Sequence, residues 1–238
     1  MTVQNHYNSH LAHFYEWMSG DFEIKQREQQ DFFERNRITP FQNKMAIDLG
    51  AGHGLQSISL AKLGFQVKAI DFNQYLLNSL QARGKKLGIE IFRRDLLDET
   101  NFNEPAEVIV CMGDTVAHLE SFEQLQRLFV QCKKSLLKNG KLVLSYRDYG
   151  TELVFDQRFI PVRADEDKIL TCFLEYFEDK VRVTDLLHEK INGEWIQKVS
   201  SYFKIRITNQ LIKQLLIETG FKIERKNINQ MNYVIAEK

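Results

Sequence analysis

Apolar and polar residues change their spacing twice along the chain, and the changes mark its organisation. From Lys44 onward, short apolar runs alternate with stretches whose apolar positions recur at helical spacing. The runs predict strands at 44–49, 65–70, 89–93, 106–112 and 141–146. The stretches between them predict helices at 54–63, ended by Gly64, at 74–87, ended by Gly88, and at 121–138. The last helix has the plainest signature. Ser121 is placed to cap it, Phe122, Leu125, Leu128, Phe129, Cys132 and Leu136 share one face, and Asn139-Gly140 supplies an end. Strands alternating with helices of this length argue an α/β fold: a Rossmann-like, doubly wound, mostly parallel sheet with ligands at the carboxyl ends of its strands.

The rhythm differs on either side. Residues 6–36 read as helical, with Tyr7, Phe14, Tyr15 and Trp17 ahead of Gly20-Asp21, and Gln26–Arg37 forms a polar helix that turns Phe32 and Phe33 inward before the stop at Thr39-Pro40. Tyr7, Tyr15 and Trp17 are either core or a lid over a pocket. Between 151 and 206 three alternating runs, 169–177, 181–188 and 197–207, are separated by Glu178-Asp179 and Asn192-Gly193, the latter a strong hairpin signal. They predict an antiparallel β insertion. A helix at 208–219, capped by Thr208 and ended by Gly220, and strands at 221–225 and 232–236 close the chain. The expected division is a helical lid over 1–43, a ligand-binding domain over 44–150 and 207–238, and the insertion over 151–206, covering a substrate pocket.

Composition narrows the partners. At 238 residues, 43% hydrophobic and 27% charged, the chain suits a soluble globular protein, and its 32 basic and 32 acidic side chains cancel. No global field steers it to nucleic acid or to an anionic membrane, and Arg93-Arg94 and Arg83 with Lys85-Lys86 read as solvated faces. Cysteines 111, 132 and 172 are odd in number and lack metal-like spacing, which argues against disulfides and a zinc site and fits a reducing cytoplasm. His6 and His10 lie one turn apart without a nearby acid, so no metal is expected there. No basic-then-apolar leader and no run of about 18 apolar residues appears, so neither secretion nor a membrane partner is expected.

The chemistry centres on Met45–Ile58. The apolar run Met45, Ala46, Ile47 and Leu49 carries one acid, Asp48, and Gly50, Ala51, Gly52 and Gly54 form a loop ahead of a helix. The Lys-Ser/Thr pair of a phosphate loop is missing, and Leu55 stands where a dinucleotide fingerprint has its last glycine. Asp71 ends a second strand 23 positions after Asp48, placed to accept from two ribose hydroxyls. Asp95 and Met112–Asp114 follow the third and fourth strands at the same edge. Asp95 either accepts from an exocyclic amine or caps the turn before Leu96.

The Asp-x-Gly-x-Gly-x-Gly pattern resembles motif I of the class I S-adenosylmethionine-dependent methyltransferases. The resemblance implies S-adenosyl-L-methionine as cofactor, with the glycine loop under its methionine part, Asp71 on the ribose, and Tyr7, Tyr15, Phe72, Leu96 and Met112 completing the lining. Val110-Cys-Met-Gly-Asp-Thr-Val-Ala-His118-Leu and Tyr146-Arg-Asp-Tyr149 are similar to segments of the glycine N-methyltransferase type. By that likeness Arg147 grips a substrate carboxylate, Tyr149 lines the same pocket, and Lys25 stands in for an arginine at the cofactor's carboxylate. Asp114 departs from the type, which has a neutral Asn. It favours a cationic acceptor, serves as general base, or caps the turn. His118 relays a proton or braces the loop. Bracing is preferred, because methyl transfer from a sulfonium needs no strong base once the amine is neutral.

The implied function is methyl transfer to a small polar acceptor, an amine or amino-acid nitrogen before an oxygen, by a chain that is a possible homo-oligomer. A methyltransferase acting on RNA or protein would need a basic rim; a non-catalytic cofactor-binding module would bind without turnover.

Overall fold

A computed structural model of the chain describes residues 1–228 and 231–238. Helices lie at Val3–Ser9 (α1), Tyr15–Ser19 (α2), Phe22–Arg35 (α3), Leu55–Lys62 (α4), Gln74–Gly84 (α5), Phe122–Ser135 (α6) and Asn209–Glu218 (α7). Strands lie at Met45–Leu49 (β1), Gln66–Asp71 (β2), Glu90–Arg93 (β3), Ala106–Cys111 (β4), Leu136–Tyr146 (β5), Phe159–Ala164 (β6), Lys168–Tyr176 (β7), Lys180–Ile191 (β8), Glu194–Ile205 (β9), Lys222–Ile228 (β10) and Met231–Glu237 (β11). Seven of them form one sheet in the order β10-β11-β5-β4-β1-β2-β3. β11 is antiparallel to β5 and to β10, and the rest is parallel. This is the class I methyltransferase arrangement of a Rossmann-like sheet.

Every residue of β4 is buried, as a central strand covered on both faces requires. Leu125, Leu128, Phe129 and Cys132 of α6 cover one side of the sheet. Phe33 of α3 and Leu60 of α4 cover the other. The chain leaves β1 toward β2 on one side and returns to β4 on the other, so the strand order reverses beside β1. The crevice at that reversal, above the carboxyl ends of β1 and β4, is where such sheets take ligands.

Strands β6–β9 make the antiparallel insertion, a separate four-stranded sheet. Asn192 and Gly193 both adopt positive φ, 54° and 88°, as a tight two-residue hairpin needs. β6 was not expected, because Pro161 weakens its strand signal. It is an edge strand, with a register shift between Pro161 and Arg163, where the missing N–H is tolerated. Two further expectations are corrected. The N-terminal helical region is broken into short pieces, with Gly20 at φ 91° redirecting the chain into α3. α6 stops at Ser135, because Leu136 turns extended and pairs with Ala106 of β4; Asn139, at φ 65°, lies within β5 and does not end the helix.

One buried acid sets the entry to β1. Glu107 of β4 has no exposed surface, and its carboxylate accepts from the backbone N–H groups of Phe41, Gln42 and Lys44 at 2.6, 2.6 and 2.7 Å. Burial pushes its pKa up, but these donors outweigh it and hold the carboxyl below its ordinary value. A depressed carboxylate contributes stability that is present above the unfolded value and lost as the pH falls through the folded one. Glu107→Gln is therefore expected to lose about 2 kcal/mol in urea unfolding at pH 7. The gap to wild type should close as the pH drops below about 4.3.

Candidate active site

The glycine loop is shaped by contacts as well as by backbone conformation. Gly50 has φ 76°, and a Cβ there would stand 2.4 Å from Thr115 Cγ2. Gly54 has φ 97°, and its Cβ would stand 2.3 Å from Leu80 Cδ1. Neither position admits a side chain. At Gly52 an added Cβ would meet nothing within 4 Å, so the loop faces open space there.

That space is a cleft of about 960 Å³, its open mouth included. Gly50, Ala51, Gly52, Asp71, Phe72, Leu96, Met112 and His118 line the domain side, and Tyr7, Tyr15, Phe22 and Lys25 line the N-terminal side. Asp71 Oδ2 accepts from Gly52 N–H at 2.8 Å and Oδ1 from Asn73 N–H at 2.7 Å. Burial raises its pKa against these bonds. Each oxygen has one such donor and so keeps capacity to accept another, and Asp71 lines the cleft, which suits a vicinal diol. Tyr7 meets Phe72 and His118 edge-on, at ring centroid distances of 5.4 and 5.6 Å, and so roofs the cleft. His53, which the sequence did not single out, is held between Tyr15 and Phe22. Burial, with Arg83 nearby, lowers it to about 4. The loop, the diol acceptor and the aromatic roof fit S-adenosylmethionine.

A second, wider cleft adjoins the first and shares Phe72, Arg94, Leu96 and His118 with it. Behind this junction lies a buried ionic cluster. Lys204 of β9 donates to Asp114 Oδ2 at 2.6 Å. Tyr149 Oη donates to the same oxygen at 2.7 Å, and Arg147 N–H to Oδ1 at 2.9 Å. Burial opposes charge on Lys204, but Asp114 and the flanking tyrosines hold its pKa well above the ordinary lysine value. Burial likewise opposes charge on Asp114, and Lys204 and its donors hold it below the ordinary carboxylate value. Both are charged. Burial, then the Lys204 ammonium, brings His118 down to about 3, so its ring is neutral. Its Nε2 is buried and has no hydrogen-bond partner.

Several expected site residues lie elsewhere. Asp48 is behind the loop, accepting from Ser57 Oγ of α4 at 2.6 Å; burial raises it to about 7, and it does not reach the cleft. Gly54 packs on Leu80 and is absent from the lining. Asp95 faces the second cleft and caps its own turn, accepting from Leu97 N–H at 2.7 Å. Asp114 and Tyr149 spend their polar atoms on each other and on Lys204, outside both clefts. Arg147 contributes its backbone N–H, while its exposed side chain lines neither cleft. Of the four residues expected at the chemistry, His118 alone borders the open space. His6 is buried against the insertion, its Nδ1 2.8 Å from Ser200 Oγ and its ring stacked on Tyr202. Among the described residues no cluster that could hold a metal is found. None of the described helices is long and apolar enough to cross a membrane.

Comparison with known proteins agrees with this geometry. Residues 46–140 match the family described as a methyltransferase domain. The ubiquinone biosynthesis O-methyltransferase of Caulobacter sp. (strain K31) is 30% identical over 118 residues, 48% of this chain and 45% of the relative. The glycine/sarcosine N-methyltransferase of Aphanothece halophytica is 27% identical over 119 residues, 49% of this chain and 44% of the relative. These matches span less than half the length of either relative. Among solved structures, the S-adenosylmethionine-bound amino pentose methyltransferase CalS10 from Micromonospora echinaspora superposes with a TM-score of 0.75 at 13% identity, covering 90% of this chain and 91% of that one. CcbJ methyltransferase from Streptomyces caelestis gives 0.74 at 13%, covering 92% and 97%. Residues 46–140 thus resemble a methyltransferase domain, and they lie in a chain whose sheet has the fold of the class I methyltransferases.

Two outcomes test the buried cluster and the neutral imidazoles. Lys204→Met strands the Asp114 charge and is expected to cost about 3–5 kcal/mol in chemical unfolding, and adding Asp114→Asn should recover at least half. His53 and His118 titrate below the ordinary histidine value of about 6.5. Between that pH and the folded values the unfolded chain binds protons that the folded chain refuses, so stability is complete above pH 6.5 and falls with pH. Each ring should remove roughly 2 kcal/mol between pH 7.5 and 5. Urea unfolding of wild type against His53→Gln and His118→Gln at the two pH values reads this slope directly.

Proposed function

We propose that the protein transfers the methyl group of S-adenosylmethionine to a nitrogen of a small polar acceptor. The observation that carries this reading is His118. A neutral imidazole with an unpartnered Nε2 stands where the cofactor cleft opens into the second cleft. Such a nitrogen accepts a hydrogen bond from an acceptor N–H and so turns the acceptor's lone pair toward the cofactor side. The bound cofactor would supply an electrophilic methyl on a sulfonium, and the chain would supply alignment. In this reading Gly50, Ala51, Gly52, Met112 and Lys25 hold the methionine part, Asp71 the ribose, and Phe72 and Leu96 the adenine. The N-terminal segment, through Tyr7 and Tyr15, acts as the lid, and the insertion closes the acceptor side.

The ion pair redefines Asp114. Lys204 already matches its charge, which supports reading Asp114 as a positioning residue and not as the site of a cationic acceptor or as a general base. It positions the loop that carries His118. The glycine N-methyltransferase branch is one acceptor class among several supported by relatives, and amino sugars and phenols belong in the same screen. A small acceptor is favoured over RNA by the neutral charge balance and by the enclosure of the junction under Tyr7. A reducing cytoplasm goes with this reading, since Cys111, Cys132 and Cys172 are free thiols.

Calorimetry with S-adenosylhomocysteine should give binding that Asp71→Asn weakens at least tenfold. Transfer of radiolabelled methyl to a panel of amino acids, amino sugars and phenols should find an amine acceptor. On it, His118→Asn should lower kcat about 10²-fold or more while cofactor affinity stays within about threefold. Label entering RNA or protein and no small amine would overturn the reading.

A further inference from the structure

Helix α1 does not hold its place by itself. Its seven residues fall below the length at which an isolated helix persists in water, so Val3–Ser9 stays where its contacts put it. The contacts toward the insertion are buried. His6 has no exposed surface; its Nδ1 lies 2.8 Å from Ser200 Oγ of β9, and its ring stacks on Tyr202 at 4.1 Å between centroids. Nε2 stands 3.1 Å from Asp185 Oδ2 of β8, close but off the line of a full hydrogen bond. The other oxygen of Asp185 accepts from the Cys172 thiol at 3.1 Å. Further along, Leu11 and Phe14 pack with Leu170 and Leu187 of the same sheet. The polar contacts toward the domain are less buried: Asn73 donates to Asn8 at 2.8 Å, and Glu16 pairs with Arg83.

Neither cleft is lined by His6, Asp185 or Ser200, so these groups meet neither cofactor nor acceptor. What they govern is the next residue. Consecutive side chains leave a helix about 100° apart, so a ring fixed in the insertion at position 6 sets the direction of Tyr7. That direction is onto Phe72 and His118, over the cofactor cleft. Met1–Gln4, at the head of the same helix, wall the second cleft. A roll of α1 about its axis would therefore open both clefts together. It would also strip the imidazole from Ser200 and Asp185, and buried polar groups left without partners oppose such a move.

We propose that His6 is a positioning residue that pins α1 to the insertion sheet, holds Tyr7 over the cofactor cleft and sets how long a bound cofactor is retained. The proposal rests on the reading of that cleft as the S-adenosylmethionine site. The pin's partners stand on β8 and β9, and β9 also carries Lys204 to Asp114. The lid is thus fastened to the same sheet that braces the loop of His118, and it follows the insertion and not the cofactor side of the domain.

Hydrogen exchange of the unliganded full chain and stopped-flow dissociation of S-adenosylhomocysteine test this. His6→Ala should speed amide exchange over residues 3–9 roughly tenfold while β4 keeps its wild-type protection, and it should speed dissociation of the ligand by a similar factor. Ser200→Ala should shift both in the same direction. In a Tyr7→Ala background, His6→Ala should change dissociation less than about twofold, because the pin acts through the roof; a residue that merely stabilises the fold would add its full effect. Unchanged exchange over 3–9, equal acceleration in β4, or effects of His6 and Tyr7 that multiply would overturn the proposal. Absence of S-adenosylhomocysteine binding to wild type would remove the cofactor reading and the retention with it, while the exchange over 3–9 would still decide whether His6 pins the helix.

Discussion

The Asp114–Lys204 ion pair is the contact on which the two halves of the molecule depend. Asp114 follows β4 in the parallel sheet and Lys204 sits on β9 of the insertion, so the bond ties one sheet to the other. Removing two charges from water costs several kcal/mol per ion, and their attraction offsets this only when the remaining lone pairs are satisfied. Here Arg147 N–H and Tyr149 Oη complete the carboxylate shell. The pair is therefore better understood as a device for specificity than for stability: it selects one placement of the insertion over the domain. Asp114 itself is in the left-handed region, at φ 69°, a conformation uncommon for a residue with a side chain. The bonds to its carboxylate hold that turn, and the turn leads directly to His118.

From this the division of labour follows. The cofactor side is built largely from backbone: a glycine loop, the N–H of Gly52 on Asp71, and the ends of β1 and β2. The junction side is built from side chains that come from distant parts of the chain, Tyr7 from α1, His118 after β4 and Lys204 from β9. Backbone sites are local in sequence and side-chain sites are not. The two halves consequently carry very different signals in the amino-acid order.

That difference explains how much was legible. The α/β alternation, the glycine loop, Asp71 and the Asn192-Gly193 hairpin all rest on short-range rules, periodicity and positive φ, and the structure follows them. The residues whose surroundings the sequence did not show are those with a partner far along the chain. Asp114 kept three readings, a site for a cationic acceptor, a general base or a turn cap, because Lys204 lies 90 positions away. Arg147 looked like a carboxylate fork, yet its position supplies an N–H to Asp114 while the side chain points elsewhere. Asp48 lies one residue before the end of β1, beside the loop, but the strand's alternation turns it toward Ser57, behind the loop. Lys204 did leave a trace: it shares the inward phase of β9 with Ser200 and Tyr202, and a lysine in that phase predicts a buried counter-ion. Glu107 left none, since a lone acid in an apolar strand does not announce three backbone donors from a preceding loop.

The charge states around the junction also bear on the kind of chemistry it supports. Asp114 and Lys204 cancel each other, His118 is neutral, and burial holds the phenols of Tyr7 and Tyr15 protonated above their ordinary value. Asp71 lines the cofactor cleft and Asp95 the second one, while the four residues common to both clefts include no carboxylate. Chemistry that must remove a proton before bond formation would need a base in contact with the acceptor. Methyl transfer from a sulfonium to a neutral amine has no such need: the lone pair attacks, the positive charge moves from sulfur to nitrogen, and a proton can leave afterward to water. What the reaction does require is an in-line approach in a site shielded from bulk solvent, and an effective molarity gain from positioning alone can reach about 10⁵ M or more. A junction walled by Tyr7, Phe72 and His118 and braced by the buried Asp114–Lys204 pair suits the proposed transfer to an amine.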